Sequence, residues 1–429
     1  MLREFDFKNV PIVDIVNEIF IDASKRSASD IHMDPWEDYL KIRIRIDGEL
    51  IDYAKVPNNI KNNLITRIKI LSGMNITETR LPQDGAIKAN MGGEDIDMRV
   101  SALPTNKGEK VVVRILDYSK HISGLDSLGF TDTNLEKVKK VINAPNGIIL
   151  VTGATGSGKS TTVYSILNKL NEEDTNIITV EDPIEMDIEG INQVQTNSEI
   201  GLDFATVLRS ILRQDPDIVM IGEIRDSETA KIAVRASITG HLVLSTLHTN
   251  DALTTIERLC DMGVERYLLS SSLAGIVSQK LARKLCTKCK QKRKATDYEK
   301  RLLKEHLDYD IDEVWVQKGC EHCNKGYKGR LAIHETLIIT QDIKDAINND
   351  LDRKELRELV YSGKDTYTLL QDGLIKAVQG LTTIEEVLKL VELDDEENIS
   401  TPDLIENMDN PTINTNNEDN DALEILDEI

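Results

Sequence analysis

Eight consecutive residues, Gly153, Ala154, Thr155, Gly156, Ser157, Gly158, Lys159 and Ser160, fit a phosphate-binding loop at every defining position. The apolar run before them, from Gly147 to Thr152, reads as a buried parallel strand. A strand that ends in a glycine-rich turn opening onto a helix aims successive backbone N–H groups at phosphate oxygens, and the helix N-terminus favours the same negative charge. In that setting Lys159 reaches the β- and γ-phosphates and Ser160 binds Mg²⁺, with Thr161 next in the cofactor-binding stretch. The predicted ligand is ATP with Mg²⁺.

Hydrolysis needs a carboxylate to position the attacking water and a polar group near the metal, at strand ends beside the loop. Two segments qualify. Thr179-Val-Glu-Asp-Pro183 ends a strand on Glu181 and Asp182, and Asp217 to Arg225 is an apolar strand that delivers Glu223 to its C-terminal edge. The second such strand ordinarily ends in Asp-Glu, but position 222 is glycine, so Glu223 or Glu181 must cover the role of the missing aspartate. His241 and His248 bracket the strand Leu242 to Leu247, where an imidazole can donate and accept hydrogen bonds and so sense a γ-phosphate. These residues leave open both a turning-over ATPase and a nucleotide-binding scaffold.

Four of the five cysteines fall as Cys286-x-x-Cys289 and Cys320-x-x-Cys323. Two tight turns, each presenting two thiolates, close a tetrahedral sulfur shell suited to Zn²⁺ in a reducing compartment. Cys260 stands apart and reads as a small core residue.

The elements that must carry this chemistry exceed one domain, since the chain has 429 residues. Residues 1–118 read as a smaller α/β domain. Ile12, Val13, Val16, Ile19, Phe20 and Ala23 lie at helical spacing within 11–33, Ile42, Ile44 and Ile46 alternate along a strand, and Asp47-Gly48 supplies a hairpin turn. A second helical period covers 59–72, and short strands are expected over 84–116. Residues 119–131 suit a linker. From 132 to 393, strand-like runs at 147–152, 176–180, 217–222 and 241–246 alternate with helical segments, which predicts a parallel sheet covered on both faces. The cysteines sit in an insert at 281–332, and 341–392 reads as helices. The formal net charge is −22, but fourteen acidic side chains and no Lys or Arg fall in 391–429, which leaves residues 1–390 at −8. That tail, from about 394, predicts disorder. The acidic body and an aromatic content of 4% argue against direct nucleic-acid binding. No apolar run approaches a membrane span and the first residues carry no signal-peptide core, so a cytoplasmic protein is expected.

Taken in order, Ala28-Ser-Asp-Ile-His32, Arg45-Ile-Asp-Gly48, Arg99-Val-Ser, Leu103-Pro-Thr, Gly108 to Arg114, the phosphate loop, Val180 to Pro183, Arg213 to Asp217, Gly222 to Asp226, Thr239 to Asp251 and the four cysteines resemble the assembly ATPases of type IV pili and type II secretion. The resemblance covers nearly all of residues 8–390. It implies a RecA-like phosphate-loop domain preceded by a smaller PAS-like domain, the two repeated in a homohexamer. By matching motif, Glu181 and Asp182 fall in the family's acidic box, Glu223 in its second carboxylate strand, and His241 and His248 in its histidine box. Arg99 and Arg114 fall on arginines that approach the γ-phosphate when the smaller domain closes, which would couple charge stabilisation to motion. The implied partner is a polytopic inner-membrane platform protein, with membrane association only through partners. The zinc insert favours assembly over retraction. Longer members carry a further N-terminal docking domain, whereas this sequence opens almost directly on the smaller domain, as in competence pseudopilus ATPases. Ala154 replaces a proline frequent at that loop position, a change of stiffness more than chemistry.

Overall fold

The computed structural model describes residues 2–91, 94–116, 124–363 and 365–391. The acidic tail from 394, Gly92-Gly93 and residues 119–123 of the expected linker lie outside them. Residues Met1–Leu390 form one compact unit.

The first sheet grows from α1 (Ile12–Lys25), β1 (Ala28–Pro35), β2 (Tyr39–Ile46), β3 (Glu49–Pro57), α2 (Asn58–Leu71), β4 (Gln83–Met91), β5 (Glu94–Thr105) and β6 (Gly108–Leu116). The helical period within 11–33 is cut short. Ser27 adopts φ 56°, a left-handed residue that a helix does not continue through, and the alternation of buried Ile31 and Met33 about His32 then belongs to β1. The strands over 84–116 are also longer than expected, because β4, β5 and β6 pair in register along their lengths. All neighbours are antiparallel in the order β3-β2-β1-β6-β5-β4. Asp47 and Gly48 turn the β2–β3 hairpin with φ 51° and 88°, both positive as a type I′ turn requires. Ile15, Ile19 and Phe20 of α1 and Leu64 and Ile68 of α2 bury their apolar stripes against Ile31, Ile42 and Val113 of the sheet.

The second sheet follows from α3 (Asp132–Ile142), β7 (Gly147–Thr152), α4 (Lys159–Leu170), β8 (Ile177–Glu181), β9 (Asn192–Gln195), α5 (Phe204–Ile211), β10 (Ile218–Ile221), α6 (Ser227–Ile238), β11 (Leu242–Leu247), α7 (Ala252–Asp261), α8 (Arg266–Ser272) and β12 (Leu273–Leu285). Every residue of β7, β8, β10 and β11 is buried, as parallel strands sandwiched between helices must be. The chain continues through β13 (Gln291–Lys294), α9 (Asp297–Leu307), β14 (Glu313–Val316), β15 (Tyr327–Ile338), α10 (Gln341–Asn348), α11 (Arg353–Tyr361), α12 (Leu369–Val378) and α13 (Ile384–Leu390). The sheet order is β15-β12-β7-β11-β10-β8-β9, and β15 runs antiparallel to β12. The sheet is therefore mixed rather than wholly parallel. The two strands flanking the cysteine insert pair with each other, so its excursion from the sheet is only 286–326, not 281–332.

Candidate functional site

The phosphate loop joins β7 to α4. Gly153, Gly156 and Gly158 take φ 147°, 79° and 91°, and a Cβ on Gly153 would lie 2.4 Å from the Gln279 carbonyl oxygen, so only glycine fits there. Gly158 precedes α4 and lends it no side-chain cap, which leaves the N–H groups of its first turn, at Lys159, Ser160 and Thr161, for a ligand. Lys159 Nζ donates to the carbonyls of Gly153 (2.8 Å) and Ala154 (3.1 Å), folded over the cradle that a phosphate would fill. Burial pushes its ammonium below the usual lysine range, and the Glu223 carboxylate opposes that shift. Ser157 Oγ is buried without a hydrogen-bond partner among the described residues, which fits a loop built around an anion. Ala154, Thr155 and Gly156 stay exposed at its rim.

The loop is braced from β12, its parallel neighbour. Gln279 Nε2 donates to Ser157 O (2.7 Å), its Oε1 accepts from Thr162 (2.8 Å), and Ser278 Oγ meets Thr152 Oγ1 at 2.7 Å. Sequence reasoning missed both residues. Their signal was a polar pair inside an otherwise apolar run.

Beyond β10, Glu223 forms an ion pair with Arg225, which also holds Asp182 at 3.1 Å. His248 Nε2 stands 3.3 Å from Glu223 Oε2. Lys159, Glu223, Asp182, Arg225 and His248 thus share the C-terminal edge of the sheet, and Arg225 was not singled out beforehand. Glu181 differs from Glu223. It is 3% exposed, and its carboxylate accepts from Tyr164 of α4, Thr179 Oγ1 (2.6 Å) and Gln193 Nε2 (3.0 Å). Burial and the neighbouring carboxylate push the Tyr164 phenol well up, so it stays a donor. The same hydroxyl accepts from Glu185 N–H (3.2 Å), tying α4 to the turn after β8.

His241 does not join this group. Its backbone oxygen accepts from Gly147 N–H at the start of β7, so it marks the opposite end of β11, about 20 Å from His248 for a six-residue strand. Its Nδ1 lies 2.8 Å from the Ala236 carbonyl at the end of α6.

Arg99 and Arg114 are direct cross-strand partners on β5 and β6. Asp30 of β1 opposes Arg114 on one side and Arg45 of β2 on the other, so one face carries Arg99, Arg114, Asp30 and Arg45 in a row. Arg114 Nε donates to Asp30 at 2.9 Å. Two arginines placed directly opposite each other cost stability unless an anion meets them. Arg99 is 2.9 Å from Glu185 and donates to Ile184 O at 3.4 Å, reaching the turn that Tyr164 secures.

The four cysteine sulfurs lie within 4.8 Å of one another. Their separations include 3.9 Å for Cys286–Cys320, 3.7 Å for Cys289–Cys323 and 3.6 Å for Cys320–Cys323. A tetrahedral zinc with bonds of about 2.3 Å places its sulfurs roughly 3.8 Å apart, whereas a disulfide needs about 2 Å, so the set fits Zn²⁺. Burial opposes ionisation of Cys323, but the Cys320 N–H, 3.3 Å from its sulfur, helps lower the thiol to about 7. Lys290 and Trp315 seat the module on the helical region. Lys290 donates to Gly380 O at 2.8 Å, and a Cβ on Gly380 would come within 2.8 Å of the indole.

Residues 6–389 match the model of a family described as Type II/IV secretion system protein. The chain is 46% identical over 387 residues to the type II secretion system protein E of Aeromonas hydrophila, covering 90% of this chain and 77% of the relative. It is 47% identical over 386 residues to the type IV pilus assembly ATPase PilB of Myxococcus xanthus, covering 89% and 68%. Among solved structures, the pilus retraction motor PilT with bound ADP matches at 27% identity and a TM-score of 0.61, over 89% of this chain and 98% of that one.

Proposed function

Since this chain belongs to the type II/IV secretion system protein family and is an ATP hydrolase of pilus or secretion-pseudopilus assembly, we propose that Glu223 is the general base of its hydrolytic site. The observation that carries this assignment is the contrast between the two glutamates. Glu181 is buried with its oxygens engaged by three donors, whereas Glu223 faces Lys159, Arg225 and His248 at the loop edge. Lys159 and the α4 N–H groups, Thr161 among them, would hold the nucleotide's phosphates, and the Ser160 hydroxyl would hold Mg²⁺. When bound there, Mg²⁺ would supply positive charge against the phosphoryl oxygens. Glu223 orients water and takes its proton, while Arg225 and His248 fix the carboxylate. Arg99 and Arg114, with Arg45 beside them, form the cationic row that stabilises transferred negative charge when the first sheet closes on the nucleotide, so that hydrolysis drives displacement.

Several finer features belong to the same reading. The subunits work as a homohexamer on the assembly side, which the tetracysteine module supports, and residues 1–118 act as the moving lobe on a linker at 119–131. Among the described residues no helix is long and apolar enough to cross a membrane, and the proposed seat is the cytoplasmic membrane face through a polytopic platform protein. Steady-state phosphate release by wild type, Lys159→Ala and Glu223→Gln tests the chemistry. Loss in both variants is expected, and equal rates in all three would remove the assignment.

A further inference from the structure

We propose that the tetracysteine module has a second role besides stabilising its own fold: the turn after Cys323 is a docking surface for the β2–β3 hairpin, so metal occupancy sets how firmly the first sheet is held. The hairpin tip is Asp47-Gly48-Glu49, and it meets this region through four contacts. Gly329 N–H donates to Asp47 Oδ2 at 2.8 Å, Asn324 Nδ2 donates to Glu49 Oε2 at 3.1 Å, Lys325 Nζ lies 3.4 Å from the same oxygen, and Arg283 Nη1 reaches Glu49 Oε1 at 2.5 Å.

These contacts divide by what holds them. Arg283 belongs to β12 and is fixed independently of any metal, by Glu386 at 2.6 Å and by stacking over Tyr327. Asn324 and Lys325 directly follow a ligand, in a turn whose shape the cysteine ring dictates. Lys325 and Gly326 take φ 46° and 92°, Cys286 N–H donates to Gly326 O at 2.9 Å, and a Cβ on Gly326 would stand 2.4 Å from Gln317 Cβ. Drawing Cys286 and Cys323 to one ion therefore fixes the turn that presents Asn324 and Lys325. Without the ion, Glu49 keeps Arg283 but loses its two other donors, so docking weakens rather than vanishes. The carboxylates also meet their partners between lobes, in a contact that any swing of the first sheet must break. That last consequence rests on the motor reading above, whereas the docking itself does not.

Linkage supplies the test, because two coupled events change each other's equilibrium by the same factor. Zinc affinity is measured by chelator competition on the full chain, for wild type and for Asp47→Asn/Glu49→Ala, whose changes lie outside the module and, with asparagine, suit the turn. A loss of zinc affinity of about fivefold is expected, the low end of ordinary coupling energies. In parallel, a zero-length carbodiimide should join Glu49 to Lys325 in metal-loaded protein and lose yield by a similar factor after chelation. Unchanged zinc affinity in the variant, equal crosslinking with and without metal, or a crosslink joining two different copies would each overturn the proposal. Neither readout uses ATP, so an inactive enzyme with coupled zinc affinity would defeat the motor reading alone.

Discussion

Replacing each of two glutamates by glutamine should produce opposite phenotypes, and the structure sets the size of both. Glu181 accepts from Tyr164, Thr179 and Gln193 inside the protein. In Glu181→Gln one oxygen still accepts from Thr179 and Gln193, but the other becomes an N–H₂ group facing the phenol, and the remaining bonds lose their charge assistance. Hydrogen bonds to a charged group contribute about 1.5–3 kcal/mol, and an unsatisfied buried group costs a similar amount, so a net loss of roughly 2–3 kcal/mol is expected. Glu223 is different because its ion-pair partner Arg225 is 54% exposed, and such pairs contribute at most about 1 kcal/mol. Glu223→Gln should therefore leave stability within about 1 kcal/mol while lowering kcat by about 10²–10⁴, the usual worth of a general base. Denaturant unfolding and single-turnover ATP hydrolysis on the same preparations measure the two effects. A Glu181→Gln protein of full stability and no turnover, beside a Glu223→Gln protein that hydrolyses ATP normally, would refute the assignment.

Other outcomes follow from individual contacts. Gly153→Ala sets a Cβ against Gln279 O and should reduce ATP-analogue affinity at least tenfold by equilibrium binding, with backbone strain of about 1–3 kcal/mol in unfolding experiments. Purified protein should carry one zinc per chain by elemental analysis. Cys286→Ser should lower its thermal midpoint and shift the emission of Trp315, which is packed on Gly380 beside the module. Burial raises the Glu335 carboxyl to about 7, although the Ala252 N–H bond works the other way. The folded state then binds the proton more tightly than the unfolded one, so this group's contribution is complete below about pH 4.3 and declines as pH rises to about 7. Glu335→Gln keeps an acceptor for Ala252 and Tyr361, and should remove that decline, gaining up to roughly 3 kcal/mol at pH 8 in denaturant titrations.

Local rules make much of this molecule legible in its sequence. Phosphate loops, CxxC pairs and type I′ turns are short-range devices, in which a few adjacent residues dictate backbone shape, so the left-handed glycines of the 153–160 loop, the gathering of the four cysteines and the Asp47-Gly48 turn are all legible from local spacing. The buried parallel strands were equally visible, since complete burial demands unbroken apolar runs. Pairing across long separations was not. That β15 returns to pair with β12, shortening the insert, depends on 41 intervening residues that carry no local signal of their destination. The roles of the site residues divided along the same line. Glu181 and Glu223 look alike as acids ending strands, and only packing around Tyr164 and Gln193 engages one while leaving the other facing Lys159. Likewise His241 and His248 bracket one strand, yet a parallel strand separates its ends, so one meets Glu223 and the other caps a helix. The sequence by itself determined which groups are present and how the chain bends near them. Tertiary structure decided which of them meet, because proximity across a sheet is set by register and burial rather than by neighbouring residue types.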